Sequence, residues 1–422
     1  MARAMKDSGI EWIGEIPAGW GTNTAFQLFI QVKNKNEGLK EQNLLSLSYG
    51  KIKRKSIETV SGLLPESFDG YNIIEPDDIV LRLTDLQNDQ KSLRVGLSPE
   101  RGIVTSAYLT LRNRSTSLPK YLYYYLHAFD ISKGFYGMGA GVRQGLNWDG
   151  LKWLKILTPP VQEQEKIVSL LDGECARIDA VIEQTRTSIE EYKKLKQSVI
   201  TQAVTKGIRP GRKMKDSKIK WVKELPEEWA VIPSKYLFRN SDMRRLDSDE
   251  QMTASQQYGI ITQAQYMELT GAKVVFANKG LEDWKHVEPY DFIISLRSFQ
   301  GGLEMSETTG CITWHYIVLK PCKPIYSYYF KWLFKSELYI KALQRTCNFI
   351  RDGQDLRYSN FVQVPLFEPS LKEQQEIADY LNKKCAEIDT LITTKETFVA
   401  ELESYKKSLI FEYVTGKKEV YN

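Results

Sequence analysis

Few residues in this chain are of a type and spacing that could do chemistry. Pro76-Asp77 followed by Asp89-Gln90-Lys91 has the form of a nuclease site, in which two carboxylates hold Mg²⁺ and a lysine supports the attacking water. The pattern is degenerate, and in the second half of the chain Tyr290 takes the place of Asp77 and no acidic-x-Lys follows at the matching distance. His127, His286 and His315 are the only histidines, too few for a multi-histidine metal site. A glycine-rich phosphate loop, HExxH, paired CxxC, GxSxG and the [DNS]PP[YF] loop of adenine methyltransferases are all missing from the sequence.

Groups suited to nucleic acid are better represented. Reading DNA needs guanidinium forks for guanine edges, carboxamides for adenine edges, and Lys or Arg along the phosphates. The first half offers Arg82, Gln87, Lys91, Arg94, Arg143 and Gln144, with Lys51, Lys53, Arg54 and Lys55 as a phosphate strip. The second half offers Arg244, Arg245, Gln263, Arg297, Gln300, Arg351 and Gln354. Any one of these alone reads as a solvated surface group; as two sets in matching locations they point to DNA. His315 beside Trp314 could also stack on a base, although a satisfied core histidine is the commoner arrangement.

The elements that must position these groups are duplicated. EQEKIVSLLDGECARIDAVIEQTRTSIEEYKKLKQSVITQAVT, from Glu163 to Thr205, returns from Glu373 to Thr415 as EQQEIADYLNKKCAEIDTLITTKETFVAELESYKKSLIFEYVT, an offset of 373 − 163 = 210. A heptad grid puts Leu171, Cys175, Ile178, Ile182, Thr185, Ile189, Tyr192, Lys196, Val199 and Ala203 on one seam, with mostly apolar equivalents from Leu381 to Tyr413. Each such helix needs a partner, and each can cover the other. Pro159-Pro160 and the Ser370 to Glu373 capping-box spacing start them; Gly207 and Gly416 end them.

Three other segments recur. KDSGIEWIGEIPAGW from Lys6 returns as KDSKIKWVKELPEEW from Lys215, with Trp12, Ile16 and Trp20 or Trp221, Leu225 and Trp229 as the apolar pegs of a short irregular arm. GVRQGLNW at 141–148 matches RDGQDLRY at 351–358 in its Gln, Leu and aromatic. Strand-like runs at Asp78 to Leu83 and Ala107 to Leu111, then an aromatic-rich helix at Leu118 to Ala128, are answered in order by Pro289 to Ile294, Gly310 to Lys320 and Ile325 to Phe334. Between these anchors the halves share little: KIKRK at 51–55 has no counterpart, and the second half carries YGIITQAQY at 258–266 instead. The fold class expected is α+β, as two similar mixed domains separated by two long helices.

Composition sets only outer bounds. The 422 residues are 42% hydrophobic, enough for two domains with proper cores, and 58 basic against 53 acidic residues give a net charge of +5, too mild to establish a DNA partner alone. Five cysteines, with no CxxC pair, read as reduced core thiols. No apolar leader or run of about eighteen apolar residues is present, so a cytoplasmic protein is expected.

The organisation resembles the specificity subunits of type I restriction-modification systems. The resemblance covers nearly the whole chain and rests on KDSGIEWIGEIPAGW, DDIVLRLTDLQNDQKSLRVG, GIVTSAYLTLR, and LTPPVQEQEKIVSLLD with its repeat. The second half departs further, with SLRSFQGGLEM and CITWHYIVLKP at the corresponding places. It implies an arm and first target recognition domain over 1–158, a conserved long helix over 159–208, a second arm and recognition domain over 209–368, and a second helix over 369–422. The helices would form an antiparallel coiled coil with an internal pseudo-twofold repeat, and each domain would read half of an interrupted DNA site. The resemblance also implies no catalysis and no cofactor in this chain: two modification subunits bring S-adenosylmethionine and methylate adenine, while restriction subunits bring ATP and Mg²⁺. The competing expectations are a self-sufficient nuclease or methyltransferase, and a non-catalytic coiled-coil scaffold.

Overall fold

The computed structural model describes residues 3–55, 67–89, 92–139, 145–296, 298–347 and 356–420. The chain divides into two compact units, one of Met1–Thr185 with Thr397–Asn422 and one of Arg186–Glu396. The division falls inside the long helices.

The first long helix is Val161–Lys206, 46 residues, and the second Leu371–Val414, 44 residues. At 1.5 Å per residue each runs roughly 65 to 70 Å. Each stops at a glycine with φ +72°, Gly207 and Gly416, the left-handed position that ends a helix most cheaply. In the first unit Leu171, Cys175, Ile178 and Ile182 of the first helix share a core with Val399, Leu409, Tyr413 and Val414 of the second. In the second unit Ile189 meets Ile388 and Ile392, and Ile200, Ala203 and Val204 share a core with Ile377, Leu381 and Cys385. Early residues of one helix meet late residues of the other, so the pair is antiparallel.

Two lysines on this seam have a reason to be there. Lys406 Nζ lies 2.6 Å from Asp179 in the first unit, and Lys196 Nζ lies 2.6 Å from Asp389 in the second. Both partners differ by 210, so one ion pair is made twice with the helices exchanged. The lysine stems lie along the seam and the heads reach its edge. Half-exposed pairs contribute only about 0.2 to 1 kcal/mol each, but a slip of one turn would separate both.

Each arm is a β-hairpin rather than an irregular segment: Met5–Asp7 pairs with Glu15–Pro17, and Met214–Ile219 with Val222–Pro226. The expected pegs Ile16, Trp20, Trp221, Leu225 and Trp229 are buried in the cores, and Trp12 lies against Tyr125 and Phe129. Trp20 Nε1 donates to Glu163 at 2.9 Å and Trp229 Nε1 to Glu373 at 3.0 Å. Arg3 and Arg212 complete the two sites as ion-pair partners of those carboxylates. The Glu373 side chain therefore serves the arm rather than the expected capping box; the Ser370 hydroxyl accepts from its backbone N–H at 3.3 Å. The next residues, Gln164 and Gln374, are buried clamps. Each accepts from a backbone N–H of the sheet domain, Leu118 or Tyr326 at 2.8 Å, and donates to the carbonyl of Pro159 or Pro369.

In each unit a four-stranded antiparallel sheet follows the arm. The order is Phe29–Gln31, Leu109–Asn113, Ile79–Leu81, Val95–Leu97 in the first, and Phe238–Ser241, Ile317–Pro321, Phe292–Ile294, Glu304–Met305 in the second. Alternation buries both faces of the central strand: Ile79 and Leu81 join the main core, Val80 a smaller one with Leu45, Ile74 and Val104. Phe292, Ile294 and Ile293 repeat the division. The aromatic-rich helices, Pro119–Ile131 and Ser327–Phe334, close the main cores, and Tyr121 and Tyr329 donate to the last-turn carbonyls of Val414 and Val204. Among the described residues no helix is long and apolar enough to cross a membrane.

The two tryptophan–glutamate–arginine sites differ in burial. Arg212 and Glu373 side chains are 9% and 4% exposed, against 27% and 22% for Arg3 and Glu163. Removing one partner of a buried pair strands the other charge, at a cost of about 3 to 5 kcal/mol. Glu373→Ala should therefore lower thermal stability distinctly more than Glu163→Ala. Equal losses in denaturation would contradict this account of how the arms are held.

Candidate nucleic-acid interface

In the first unit the strands Leu45–Ser48 and Lys51–Arg54 form a hairpin whose two-residue tip, Tyr49-Gly50, has φ of 48° and 75°. Two positive φ values match the right-handed twist of the strands, and glycine lowers the cost of the second. Tyr49 is 80% exposed. The four basic residues expected as a strip lie on this hairpin and just beyond it. Lys51 pairs with Asp179 at 3.1 Å, and Arg54 is taken up by Glu100. Lys53 and Lys55 are exposed, and their ammonium groups have no partner among the described residues.

The hairpin packs on the strand Val95–Leu97, where a Cβ on Gly96 would come within 2.6 Å of Leu47. Its tip approaches the connection at 82–94; a Cβ on Gly50 would lie 3.1 Å from that of Leu93. Arg82 and the exposed Gln87 belong to this connection, Arg82 lying 3.8 Å from Asp89. Leu146, just after Arg143 and Gln144, donates to the carbonyl of Leu83. Arg143, Gln144 and Lys91 themselves lie outside the described residues.

Arg94 has a different role from the DNA contact expected of it. Its residue is 0% exposed, and the guanidinium donates to the carbonyls of Arg82 at 3.0 Å, Thr84 at 2.9 Å, Asp85 at 3.3 Å and Asp89, with Nε bonded to Tyr136. One buried cation thus gathers the carbonyls of a whole loop, which shapes the surface that carries Arg82 and Gln87. Asp130 accepts from the Arg94 backbone N–H at 2.6 Å. Burial pushes its carboxyl up to about 6, against the lowering effect of that hydrogen bond and of the Arg94 charge.

The second unit repeats the arrangement with other side chains. Met252–Ser255 and Gly259–Thr262 form the hairpin, with Gln256, Gln257 and Tyr258 at its tip and Gly259 at φ +74°. Thr262 caps the helix Gln263–Thr270 and exchanges hydrogen bonds with Gln265. The connection between the last two sheet strands carries the short helix Ser298–Gly301, where Gln300 is exposed. A Cβ on Gly301 would come within 2.7 Å of Gln256 Nε2, so tip and connection again touch. Gln263 is buried, its N–H bonded to the Gln251 carbonyl, and is part of the fold rather than of an outer surface. Arg244 and Arg245 lie apart, beside the Lys285–Val287 strand, where Arg244 is bonded to Asp283 and Arg245 lies 3.5 Å from Asp247. Arg297, Arg351 and Gln354 lie outside the described residues.

The sequence sets thus meet only in part, and the hairpin tips were missed. Their signal was present: Tyr49-Gly50 and Tyr258-Gly259 recur at 258 − 49 = 209, inside stretches that otherwise diverge. The nuclease pattern does not assemble. Asp77 pairs by backbone with Ser98 at one end of the Ile79–Leu81 strand, Asp89 belongs to the connection beyond its other end, and Lys91 is outside the described residues. No cluster of metal-binding side chains occurs among the described residues. Of the histidines, His127 is buried, with burial and the nearby Lys406 and Lys407 holding it down to about 4. His286 is buried against Asp249 at 2.8 Å, and His315 stacks on the exposed Trp314.

No family model matches the chain. It is 25% identical over 422 residues, 97% of this chain and 96% of the relative, to a protein of Methanocaldococcus jannaschii assigned as the type I restriction enzyme MjaX specificity subunit. A solved chain from work on complex assembly and conformational transition of the type I restriction-modification system superposes with a TM-score of 0.65 at 14% identity, over 96% of this chain and 99% of that one. At that identity the likeness is one of fold. The HsdS subunit of Thermoanaerobacter tengcongensis gives a TM-score of 0.49 at 14% identity, covering 98% and 100%.

The burial of Arg94 and Asp130 yields a paired test. Arg94→Ala should cost about 3 kcal/mol or more, because it empties a buried site and removes several part-buried hydrogen bonds at once. Asp130 holds its proton to about pH 6 when folded but only to about 4 when unfolded, so its contribution favours folding at low pH and fades as pH rises through that window. Asp130→Asn should accordingly gain on the parent between pH 4 and 6, by up to about 3 kcal/mol. Denaturation curves that run parallel across this range would contradict the assignment.

Proposed function

We propose that this chain, which full-length similarity and fold group with the specificity subunits of type I restriction-modification systems, is the non-catalytic DNA-reading subunit of such a complex. Each unit reads one half of an interrupted double-stranded site. One observation carries the proposal. The same hairpin and the same sheet connection meet in both units on a duplicated scaffold, yet they present lysines and arginines in one and carboxamides in the other. Two readers of different base sequences require this combination of constant support and divergent surface.

Methylation of adenine, and cleavage, fall to partners: two modification subunits carrying S-adenosylmethionine, and restriction subunits using ATP and Mg²⁺. The long helices offer a docking surface for the former. Exposed apolar side chains recur on them at an offset of 210, as Val161 and Leu371, Val181 and Leu391, and Leu195 and Tyr405. A duplicated apolar position left uncovered in both copies suits two copies of one partner. The complex works in the cytoplasm, where it meets the DNA.

The test is selection from a random DNA library by the chain assembled with its modification subunits, which should yield a bipartite motif with an unspecified spacer. Lys53→Ala and Lys55→Ala should leave that motif unchanged while each lowers the slope of log affinity against log salt by about one, as loss of a phosphate contact does. A complex without sequence preference would refute the proposal. An unaltered salt slope in both variants would remove the strip from the DNA surface.

A further inference from the structure

We propose that Gln257 and Gln300 are specificity-determining residues of the second unit and that they read adenine through the major groove. The inference rests on the DNA-reading function proposed above and assigns it to two side chains. They flank a cleft of about 720 Å³ between the hairpin tip, the Ser298–Gly301 connection and the first long helix. Charge is already spent around this cleft: Lys331 is paired with Glu307, Lys335 with Glu304, and Lys196 with Asp389. A phosphate would find no unpaired cation there among the described residues that line it.

Carboxamides remain. Gln265 is committed to the helix cap, and the Gln256 side chain lies over Gly301. Gln257 and Gln300 are both exposed, and their side chains have no partner among the described residues. Gln197, which also lines the cleft, keeps a buried carboxamide oxygen with no donor among the described residues. A carboxamide sets a donor beside an acceptor. That order matches the N7 acceptor and N6 amino donor of adenine, whereas guanine presents two acceptors on the same edge. The corresponding hairpin of the first unit carries Lys51, Lys53 and Arg54 instead of carboxamides.

The experiment uses the full chain assembled with its modification subunits, and reads the methylated motif from a random-sequence library. Gln257→Ala and Gln300→Ala should each relax the preference for adenine at one position of one half-site by about ten- to a hundredfold, with the other half unaltered. Assembly and melting temperature should stay at the parent values, since both side chains are exposed. Gln300→Glu should move the preference from adenine toward cytosine, because a carboxylate can only accept, and cytosine offers its N4 amino group. An unchanged motif in all three variants would overturn the inference while leaving the bipartite reading intact. Weakened assembly with an unchanged motif would overturn it in favour of a protein contact. A parent complex without any motif would overturn the function itself.

Discussion

Everything in this chain depends on two copies of one helix sequence meeting antiparallel. A parallel pair in the offset register would set Lys196 against Lys406 and Asp179 against Asp389, like against like. The antiparallel pair exchanges them, so that Lys406 meets Asp179 and Lys196 meets Asp389 at 2.6 Å each. Repulsion in the alternative is as much a part of the choice as attraction in the observed pair. The isoleucines supply the energy, since an apolar stripe on each helix is covered by the same stripe on the other, and the charged pairs supply direction and register.

From that pairing the remaining repeats follow. Where the sheet domain meets the start of a long helix, a buried glutamine and a buried or half-buried glutamate tie it down, Gln164 with Glu163 and Gln374 with Glu373. These ties use backbone groups and the arm tryptophan, all of which lie away from the hairpin tips. The tips can therefore change without loosening the support. Tyr49-Gly50 in one unit and Gln256-Gln257-Tyr258-Gly259 in the other differ in length and chemistry, yet both are anchored by strands whose pairing does not depend on tip side chains.

The long helices were legible in the sequence because a heptad seam, terminal glycines and a repeat at constant offset all coincide, and the seam lysines became intelligible once the opposite carboxylate was placed. The sheet order was legible only as runs of apolar residues, since strand pairing is decided by contacts distant in the chain. Arms read as irregular turned out to be hairpins, because their strands are short and carry Lys and Asp where alternation would be expected. Among the candidate DNA residues, charge was visible and burial was not. Arg94 and Arg82 look alike as letters, but one is enclosed by four carbonyls and the other is half-exposed. Gln263 and Gln300 differ in the same way, one buried and one exposed, and only the fold tells them apart.

The central claim is that each unit reads its own half-site on a shared support. Exchanging residues 22–157 for the corresponding unit of a relative with a different site, and mapping the methylated adenines of the hybrid complex, tests it most directly. The account predicts a motif in which one half changes to that of the relative while the other half is retained. A hybrid that is active but alters both halves together would contradict it.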